Sequence, residues 1–309
     1  MRWLAVWFIG GALLAGVGRT AVATATNFTV ATYNLENYLL EGTGSRQAKP
    51  AAARARVREA IRRIHPDVLA VQEIGPVPAL LELQASLRTD GLDYPHWEHV
   101  AGWDTNIFVG VLSRFPITAR RPHTNENFLL QGRRFHVSRG FAEIDLQVNR
   151  RYVFTLVAAH LKSRRPVPAA DEADLRFAEA ARLRETIDEI LRRRPGTHLL
   201  VVGDFNDTPD APALRTIVGS GANALIDTRP AEPNGDPVRG VGARPVFHNI
   251  TWTYHYARQD NYQRIDYLLV NAAMAADWRP AGSYVLSMPG WGEASDHRPV
   301  VAAFVTPGP

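Results

Sequence analysis

Six short polar stretches each lie beside a segment that the sequence predicts to be a buried strand. They are residues 33–37, 72–73, 160–162, 203–207, 264–267 and 295–299. Ligand sites of α/β sheets lie where strands end. One such stretch would be explained by a turn or a helix cap, as is the case for Asp207 before Pro209. Six recurrences of acid, amide and imidazole instead indicate one shared site.

The side chains in these stretches suit metal-assisted hydrolysis of a phosphate ester. The chain has no cysteine, which excludes thiolate metal sites and a cysteine nucleophile. Hard oxygen donors favour Mg²⁺ or Mn²⁺ over zinc, and they are supplied by Asn34, Glu73, Asp204, Asn206 and Asp296. Two imidazoles, His160 and His297, could transfer protons or donate hydrogen bonds to a charged oxygen. A metal would polarise the phosphoryl oxygen.

Alternating and apolar runs predict the elements that position these side chains. Strands are predicted over 28–33, 68–72, 106–112, 141–148, 152–159, 198–203, 265–270 and 299–305. Helices are predicted over 50–64 and from a cap at Asp171 to the Pro195–Gly196 stop. Strands and helices alternate early and strands follow one another in the middle, which favours a large α/β sandwich. No linker divides residues 26–309, so we expect one domain, with a functional rim or flap over 228–248.

The helix that begins after Asp171 shows the clearest helical pattern. Its apolar residues recur at spacings of three and four, at Ala180, Leu183, Ile187 and Ile190. Its charges predict three i,i+4 pairs on a solvated face, Glu172–Arg176, Asp188–Arg192 and Glu189–Arg193.

Residues 1–25 are predicted to be a secretory signal peptide. A charged start at Arg2 precedes an apolar run of about 15 residues and a small-residue cleavage site. An uncleaved anchor is the alternative, although a membrane span needs roughly 20 residues. Cleavage removes Arg2 and Arg19, so the net charge of +4 falls to +2 and gives little support for a polyanion partner. We expect a secreted or periplasmic monomer with no stable membrane partner after cleavage.

The order of the six stretches resembles one known superfamily. Gly-Asp-Phe-Asn at 203–206, followed by Ser-Asp-His-Arg-Pro at 295–299, resembles the endonuclease/exonuclease/phosphatase superfamily, the deoxyribonuclease-I-like proteins. The other four stretches match its remaining blocks in the same order, over residues 27–305. The resemblance implies an α/β four-layer sandwich, with two packed mixed β-sheets flanked by helices. It also implies hydrolysis of phosphodiesters or phosphomonoesters with a divalent cation.

The resemblance also implies a role for each oxygen donor. Glu73 corresponds to the principal metal ligand, with Asn34 and Asp296 close to the ion. Asp204 corresponds to the carboxylate that aligns or deprotonates the attacking water, with Asn206 beside it.

The histidines and one arginine receive roles in the same way. His297 resembles the histidine at the scissile phosphate, and Asp266 the carboxylate that orients it. His160 corresponds to a second histidine of the deoxyribonuclease and sphingomyelinase branches. Arg139 is placed like a phosphate-contacting arginine, and the alternative is one more surface arginine among the 35 basic residues.

The predicted function is an exported, metal-dependent phosphodiesterase, with a nuclease acting on DNA or RNA as the leading hypothesis. A phosphatase or a sphingomyelinase/phospholipase-C-like enzyme is the alternative. An enzyme that acts on a membrane should carry an exposed aromatic hairpin, and the sequence shows only scattered tryptophans. A catalytically inactive binding relative is a further alternative. Such a relative would be expected to have lost at least one of the residues Glu73, Asp204, Asp266 and His297, and none of them is missing. Residues 252–254 could form either an aromatic floor beside the site or a buried aromatic strand.

Overall fold

The computed structural model describes residues 25–233 and 249–308. Strands β1 to β8 are Thr26–Tyr38, Val68–Ile74, His96–Val100, Phe108–Ser113, Ile117–Arg120, Asn127–Leu130, Arg133–His136 and Ala142–Asn149. Strands β9 to β16 are Tyr152–His160, His198–Asp204, Ile226–Asp227, Tyr254–Tyr256, Asn261–Gln263, Asp266–Val270, Trp278–Val285 and Val300–Thr306. Helices α1 to α5 are Ala51–Ile64, Val77–Thr89, Glu172–Arg193, Pro212–Val218 and Ala272–Asp277.

Two predictions fall largely outside these residues. The predicted signal peptide, residues 1–25, lies outside them except for Ala25, and so does the part of the 228–248 loop that follows residue 233. Within the described ranges, no helix combines the length and the apolar character that crossing a bilayer requires.

Two six-stranded mixed sheets form the centre of the molecule. Their strand orders are β15-β16-β1-β2-β4-β3 and β11-β14-β10-β9-β8-β5. Apolar side chains that alternate along the strands fill the space between the sheets, with Phe28 and Val30 of β1 in one cluster with Phe154 and Leu156 of β9. This alternation buries one face of each strand in the shared core and leaves the other face for the helices.

Helices cover the outer face of each sheet. Helices α1 and α2 pack on the first sheet through residues such as Ile61 and Leu83. Helices α3 and α4 pack on the second, and all four predicted apolar positions of α3 are buried there. Asp171 caps α3 as predicted, accepting hydrogen bonds from the backbone N–H groups of Ala173 and Asp174. The four-layer sandwich is therefore confirmed.

The sheet topology brings the polar stretches to one edge. In the first sheet β1 and β2 run parallel, and Asn34 is paired with Gln72 just before the pairing becomes irregular toward the ends of both strands. In the second, β9 and β10 run parallel, and Asp204 is paired with His160. The antiparallel strand β14 begins at this edge, where Asp266 is paired with Asp204, and β16 begins beside the end of β1.

Two of the three predicted ion pairs on α3 are wrong. Arg176 is buried and donates from Nε to Asp207 at 3.0 Å, because its position on α3 faces the sheet edge. Asp207 lies in a bend as predicted but also accepts from Arg164 at 3.1 Å, so it is more than a turn residue. Asp188 pairs with Arg184 on the preceding turn, since the spacing rule allows either neighbour. The Glu189–Arg193 pair is confirmed.

Candidate active site

Asp204, at the end of β10, links the two sheets. Asn34 at the end of β1 donates from Nδ2 to Asp204 Oδ2 at 2.9 Å, across the sandwich. Asn206 donates to the same carboxylate from its backbone N–H at 2.8 Å and from Nδ2 at 3.2 Å. Asn206 has a φ of 55°, and this left-handed turn folds its amide back onto the carboxylate. The carboxylate is fully buried and oriented by three donors.

His297 and Asp266 form a buried pair beside Asp204. His297 Nδ1 lies 2.8 Å from Asp266 Oδ2, and both side chains are nearly inaccessible to solvent. Its other ring nitrogen, Nε2, lies 3.8 Å from Asp204 Oδ2 and 3.8 Å from Asp296 Oδ1. Burial alone would lower the pKa of His297, but the charges of Asp266 and Asp204 and the hydrogen bond with Asp266 hold it well above its usual value. These surroundings therefore favour the charged form of the imidazole.

The second histidine has the opposite character. His160 Nε2 lies 3.5 Å from Asp204 Oδ2, while its Nδ1 is buried without a hydrogen-bond partner in the described chain. Burial, and then the nearby charge of Arg139, hold the pKa of His160 well below its usual value. The surroundings thus favour a neutral His160 and a charged His297, although both rings lie within 4 Å of the same carboxylate.

The carboxylates of the site have no arginine or lysine partner among the described residues. Burial, reinforced by the charge of Asp266 and opposed by that of His297, raises the pKa of Asp204 to about 7. Burial also raises the pKa of Asp296 to about 6, although the charge of His297 opposes the shift. Among the described residues, no arginine or lysine lies within 4.0 Å of Glu73, Asp204, Asp266 or Asp296. Asp204, Asp266 and Asp296 therefore share one imidazole, that of His297, as their nearby cationic partner.

Glu73 lies in a strained segment at the end of β2. Its φ is 58°, and Glu36 and Asn37 across the β1 end are also left-handed, at 46° and 53°. Non-glycine residues adopt this region rarely, and such strain clusters at functional sites. Glu73 accepts from the backbone N–H of Asn37 at 2.9 Å. The strain turns the Glu73 carboxylate into the same cavity as His297.

A cavity of about 780 Å³ opens over this edge. Of the predicted site residues, its wall includes Glu73, Arg139, Asp204, Asn206, Asp296 and His297. The other three lie behind that wall, because Asn34, His160 and Asp266 are each 1–2% exposed and contact Asp204 or His297. All nine predicted residues are thus brought together.

Arg139 is at the cavity and is not the surface arginine that was the alternative. It is 6% exposed. Its Nη1 donates to the Leu161 carbonyl at 3.3 Å, and its Nη2 lies 3.6 Å from Asp104. Asp104, in the loop between β3 and β4, packs against Arg139, and its N–H donates to the neighbouring Ser138 carbonyl at 2.7 Å.

Two groups of donors at this edge could hold a divalent cation. Glu73 and Asp296 present carboxylates to the cavity, and Asn34 Oδ1 lies behind them, accepting from Glu36 at 3.0 Å. Deeper in the site, Asp204, Asp266 and His297 each place a donor atom within 4.8 Å of the others, and Asp266 Oδ1 has no hydrogen-bond partner in the described chain. The first group consists of hard oxygens, as Mg²⁺ and Mn²⁺ prefer.

Sequence reasoning missed several basic residues of the site. The two lysines of the chain, Lys49 and Lys162, are both buried near this edge. Lys49 donates to the Glu36 carbonyl at 3.0 Å, and Lys162 donates to the Ser163 and Arg165 carbonyls at 2.8 Å. A chain that otherwise uses arginine retains a compact ammonium at these positions. Their rarity among 35 basic residues was the available signal.

Arginines line the rim of the cavity, and this too was missed. Besides Arg139, the wall includes Arg46, Arg164, Arg165 and Arg258. Arg164 and Arg165 are neighbours in one loop, whereas Arg46, Arg139 and Arg258 come from three other loops, so no single cluster along the chain contains all five. Only the tertiary structure collects them.

Comparison with known proteins agrees with this geometry. Residues 31–297 match the model of the Endonuclease/Exonuclease/phosphatase family. No curated protein matches the chain.

Solved structures with the same fold have diverse descriptions. The human nocturnin catalytic domain aligns with a TM-score of 0.62 and 16% identity, covering 92% of this chain and 97% of that chain. Sphingomyelinase C from Streptomyces griseocarneus aligns at 0.58 and 18%, covering 90% and 99%. The 3′ phosphatase NExo from Neisseria, bound to a product DNA hairpin, aligns at 0.57 and 15%, covering 90% and 99%. Identities this low show a common fold and leave the substrate open.

Proposed function

The chain belongs to the Endonuclease/Exonuclease/phosphatase family, and we propose on that premise that it is a divalent-metal-dependent phosphodiesterase that acts as a nuclease. The observation that carries the proposal is the Asp204–His297–Asp266 arrangement at the edge of the 780 Å³ cavity. It combines a buried carboxylate, an oriented imidazolium and uncompensated acids, which are the groups that phosphate-ester hydrolysis needs.

Asp204 is the proposed base for the attacking water. Its raised pKa, about 7, suits a group that must accept a proton near neutral pH. Asn34 and Asn206 hold both of its oxygens, so its orientation is fixed before substrate binds. Asn206 acts through Asp204 and is a positioning residue in this scheme, as is Asn34.

His297 is the proposed partner of the phosphate. Its Nδ1 is occupied by Asp266, so Nε2 is the atom that faces the reacting centre. As an imidazolium it would donate to a phosphoryl oxygen and offset the charge that builds up during attack. His160, held neutral, would keep Asp204 in place through its contact at 3.5 Å.

Glu73 and Asp296, with Asn34 behind them, are the residues proposed to hold Mg²⁺ or Mn²⁺. When bound, the cation supplies Lewis-acid polarisation of the phosphoryl oxygen. The deeper group of Asp204, Asp266 and His297 is the competing location. We favour the first group because all its donors are hard oxygens, as Mg²⁺ and Mn²⁺ prefer, whereas the deeper group includes an imidazole.

The arginine rim favours a polyanion as substrate. Arg46 and Arg139 lie on the Asp104 side of the cavity, since Asp104 lies within 4.0 Å of one and 3.6 Å of the other. Arg164, Arg165 and Arg258 complete the rim. Arginines flanking a reactive centre on several sides suit successive phosphates of a nucleic-acid strand. Export through the predicted signal peptide at 1–25 is part of the same proposal.

A sphingomyelinase-like or phosphatase activity is the second candidate. One observation favours the former, because the β6–β7 hairpin exposes Leu129, 71% accessible, beside Trp103, 66% accessible. Two features of the same hairpin weigh against this candidate. It carries Arg133 and Arg134, and its single exposed leucine is a small apolar surface for membrane binding.

A substrate panel tests the proposal. Purified protein would be incubated with Mg²⁺, Mn²⁺ or EDTA and with plasmid, single-stranded DNA, RNA, bis(4-nitrophenyl) phosphate, 4-nitrophenyl phosphate and sphingomyelin vesicles. We expect metal-dependent cleavage of bis(4-nitrophenyl) phosphate and of at least one nucleic acid, with none in EDTA. Hydrolysis of sphingomyelin or of the monoester alone would contradict the nuclease assignment, and full activity in EDTA would contradict the metal assignment.

A further inference from the structure

The hairpin of β12 and β13 forms one wall of the catalytic cavity and has two chemically different faces. Tyr254 is paired with Gln263 and Tyr256 with Asn261. All four of these residues line the cavity. Because side chains alternate along a strand, the residues between them, His255 and Tyr262, lie on the opposite face. On this face of the hairpin, two tyrosines on β12 thus lie beside two carboxamide side chains on β13.

The opposite face holds the hairpin in place. The rings of His255 and Tyr262 stack at 4.3 Å, and Tyr262 meets Trp252 edge-on at 4.9 Å. Trp291 contacts Trp252 at 5.1 Å. This aromatic packing supports a hairpin that is too short to be stable by itself. Of residues 252–254, for which the sequence left an aromatic floor or a buried aromatic strand open, Tyr254 lines the cavity, whereas Trp252 precedes β12 and packs on the opposite face.

Backbone hydrogen bonds fix the hairpin to the catalytic residues. The N–H of His255 donates to the Asp296 carbonyl at 3.0 Å, and the N–H of Arg298 donates to the Thr253 carbonyl at 2.7 Å. Thr253 Oγ1 accepts from the N–H of Asp266 at 3.1 Å. The wall is thus held in register with both members of the Asp266–His297 pair.

This register sets the distance of each ring from the reacting phosphate. The Tyr254 ring lies 4.7 Å from the His297 ring, so Tyr254 belongs to the reaction centre itself. Tyr256 is two residues further along the strand, about 7 Å outward, and is 37% exposed. A planar group carried by the part of the substrate next to the reacting phosphate would lie against Tyr256.

The neighbouring polar groups restrict what that planar group can be. Gln263 accepts from Arg164 through Oε1 at 2.6 Å, which leaves its NH₂ group to donate. Asn261, across from Tyr256, offers both a donor and an acceptor. A quaternary ammonium can lie on an aromatic ring, but it forms no hydrogen bond with an amide, and the arginines of the rim disfavour a cation. A nucleobase has a face that stacks and an edge that pairs with amides.

We propose that the cavity face of the β12–β13 hairpin is a subsite for one unpaired nucleobase next to the scissile phosphate, stacked on Tyr256 with its edge on Asn261 and Gln263. The inference rests on the proposed nuclease function. A base inside a duplex has neither a free face nor a free pairing edge. The subsite therefore selects single-stranded segments or strand ends.

A matched pair of substrates tests this subsite. One is a fluorescently labelled single-stranded oligonucleotide, and the other is the same backbone with tetrahydrofuran abasic units in place of the nucleosides. We expect Tyr256→Ala to lower kcat/KM on the first about 5- to 150-fold, the loss that corresponds to stacking of one base. On the abasic strand kcat/KM should stay within about two-fold. Tyr256→Phe keeps the ring and should retain the wild-type preference.

Tyr262→Ala is the control, because it alters the same hairpin on its opposite face. Distortion of the hairpin would lower cleavage of both strands by the same factor, whereas loss of a base contact would lower cleavage of one. We also expect Asn261→Ala to lower cleavage of the base-containing strand alone. Wild-type protein should cut the single strand faster than the blunt duplex of the same sequence.

The outcomes separate this inference from the proposed function. The base subsite is wrong, and the nuclease stands, if the wild type cleaves bis(4-nitrophenyl) phosphate but cuts the base-containing and the abasic strand equally fast. The same conclusion follows if Tyr256→Ala slows cleavage of both strands by the same factor. If Tyr256→Ala instead lowers hydrolysis of 4-nitrophenyl phosphorylcholine, the occupant is a headgroup and the subsite is overturned. If the wild type with Mg²⁺ or Mn²⁺ cleaves none of these, the proposed function itself fails.

Discussion

Two buried clusters of acids in this molecule have opposite electrostatics. At the catalytic edge, Asp204 and Asp296 have raised pKa values because burial outweighs the attraction of His297. In the second sheet, Glu143 and Asp145 of β8 are also buried or half-buried, and burial again acts to raise their pKa values. There, however, hydrogen bonds from His123, Arg121 and Arg194 outweigh burial and hold both pKa values low.

The difference lies in the fixed cations. In the second cluster, which we call the arginine cluster (Arg121, His123, Glu143, Asp145 and Arg194), Arg194 contacts Glu143 at 2.7 Å and Asp145 at 2.8 Å. Arg121 contacts both as well, at 2.6 Å for Asp145. Such a cluster is satisfied within the fold and needs no ligand. Acids buried without fixed cations cost stability, and a protein retains them where a ligand supplies the missing charge.

Asp204→Asn should have the largest effect. Removing the charge of a proposed base should lower kcat about 10²- to 10⁴-fold, while the melting temperature stays the same or rises because a buried charge is lost. Steady-state hydrolysis of bis(4-nitrophenyl) phosphate and calorimetry would measure the two quantities. Asp145→Asn in the arginine cluster is the matched control and should keep full activity. An Asp204→Asn enzyme with more than a tenth of the wild-type rate would contradict the assignment.

Asp266 and His297 should act as a unit. Asp266→Asn and His297→Ala should each lower kcat on the order of 10²-fold or more, and the double variant should lose little beyond the worse single one. The reason is that Asp266 acts through the His297 ring that it holds at 2.8 Å. A double-mutant cycle at saturating Mg²⁺ measures this. Additive losses would show that the two residues act independently, whereas His160→Ala should combine more nearly additively with Asp266→Asn.

A divalent cation should stabilise the protein by binding at the catalytic edge and not at the arginine cluster. Binding at 100 times Kd raises the free energy of unfolding by about 2.7 kcal/mol. Mn²⁺ should therefore raise the melting temperature of the wild type and of Asp145→Asn but not of Glu73→Gln. The same shift in Glu73→Gln, together with its loss in Asp266→Asn, would move the ion to the deeper group. This readout does not depend on activity.

Arg194→Gln should destabilise the fold without affecting catalysis. It leaves Glu143 and Asp145 with one guanidinium fewer, and losing such a charged hydrogen-bond partner costs about 1–3 kcal/mol. Urea unfolding should show the loss, and kcat at a temperature where the variant is folded should equal that of the wild type. A large fall in kcat with unchanged stability would mean that the arginine cluster is coupled to the active site.

The smallest expected effect is a pH dependence from His123. Its pKa is raised above the usual value of a histidine, about 6.5, chiefly by the hydrogen bond with Glu143. A group whose pKa is higher in the folded than in the unfolded state stabilises fully below its unfolded pKa, and this contribution is lost as pH rises through the folded value. The free energy of unfolding of the wild type should thus fall as pH rises above about 6.5, and it should fall less steeply in His123→Gln. Equal pH slopes in urea titrations of the two proteins would contradict the prediction.

The sequence predicted the principal strands and the site but not the small elements around it. The strands predicted at 28–33, 68–72 and 198–203 correspond to β1, β2 and β10, because long apolar or alternating runs have one stable arrangement in a packed sheet. The β12–β13 hairpin has strands of three residues, too short for a period to be recognised. Its shape depends on contacts with Trp252 and Trp291, which lie far apart in the chain.

Arg139 and Arg176 show the same limit for charged residues. Sequence could offer Arg139 as a phosphate contact or a surface residue, and Arg176 as a helix-surface partner of Glu172. Burial of both was decided by which loop and which sheet edge pack over them. Charge spacing along a helix gives possible partners, and a partner from another element can replace them when it completes a buried pair.

By itself, the sequence determined the residue types of the site and their order along strand ends, since these follow from the chemistry of oxygen and nitrogen donors and from the two-residue period of a strand. It did not determine that one histidine would be charged and the other neutral. His160 and His297 both contact Asp204, and only the sandwich places Asp266 against one ring and buries the other beside Arg139. Protonation depends on the sum of nearby charges and on burial, and both quantities arise from residues that are distant in the chain.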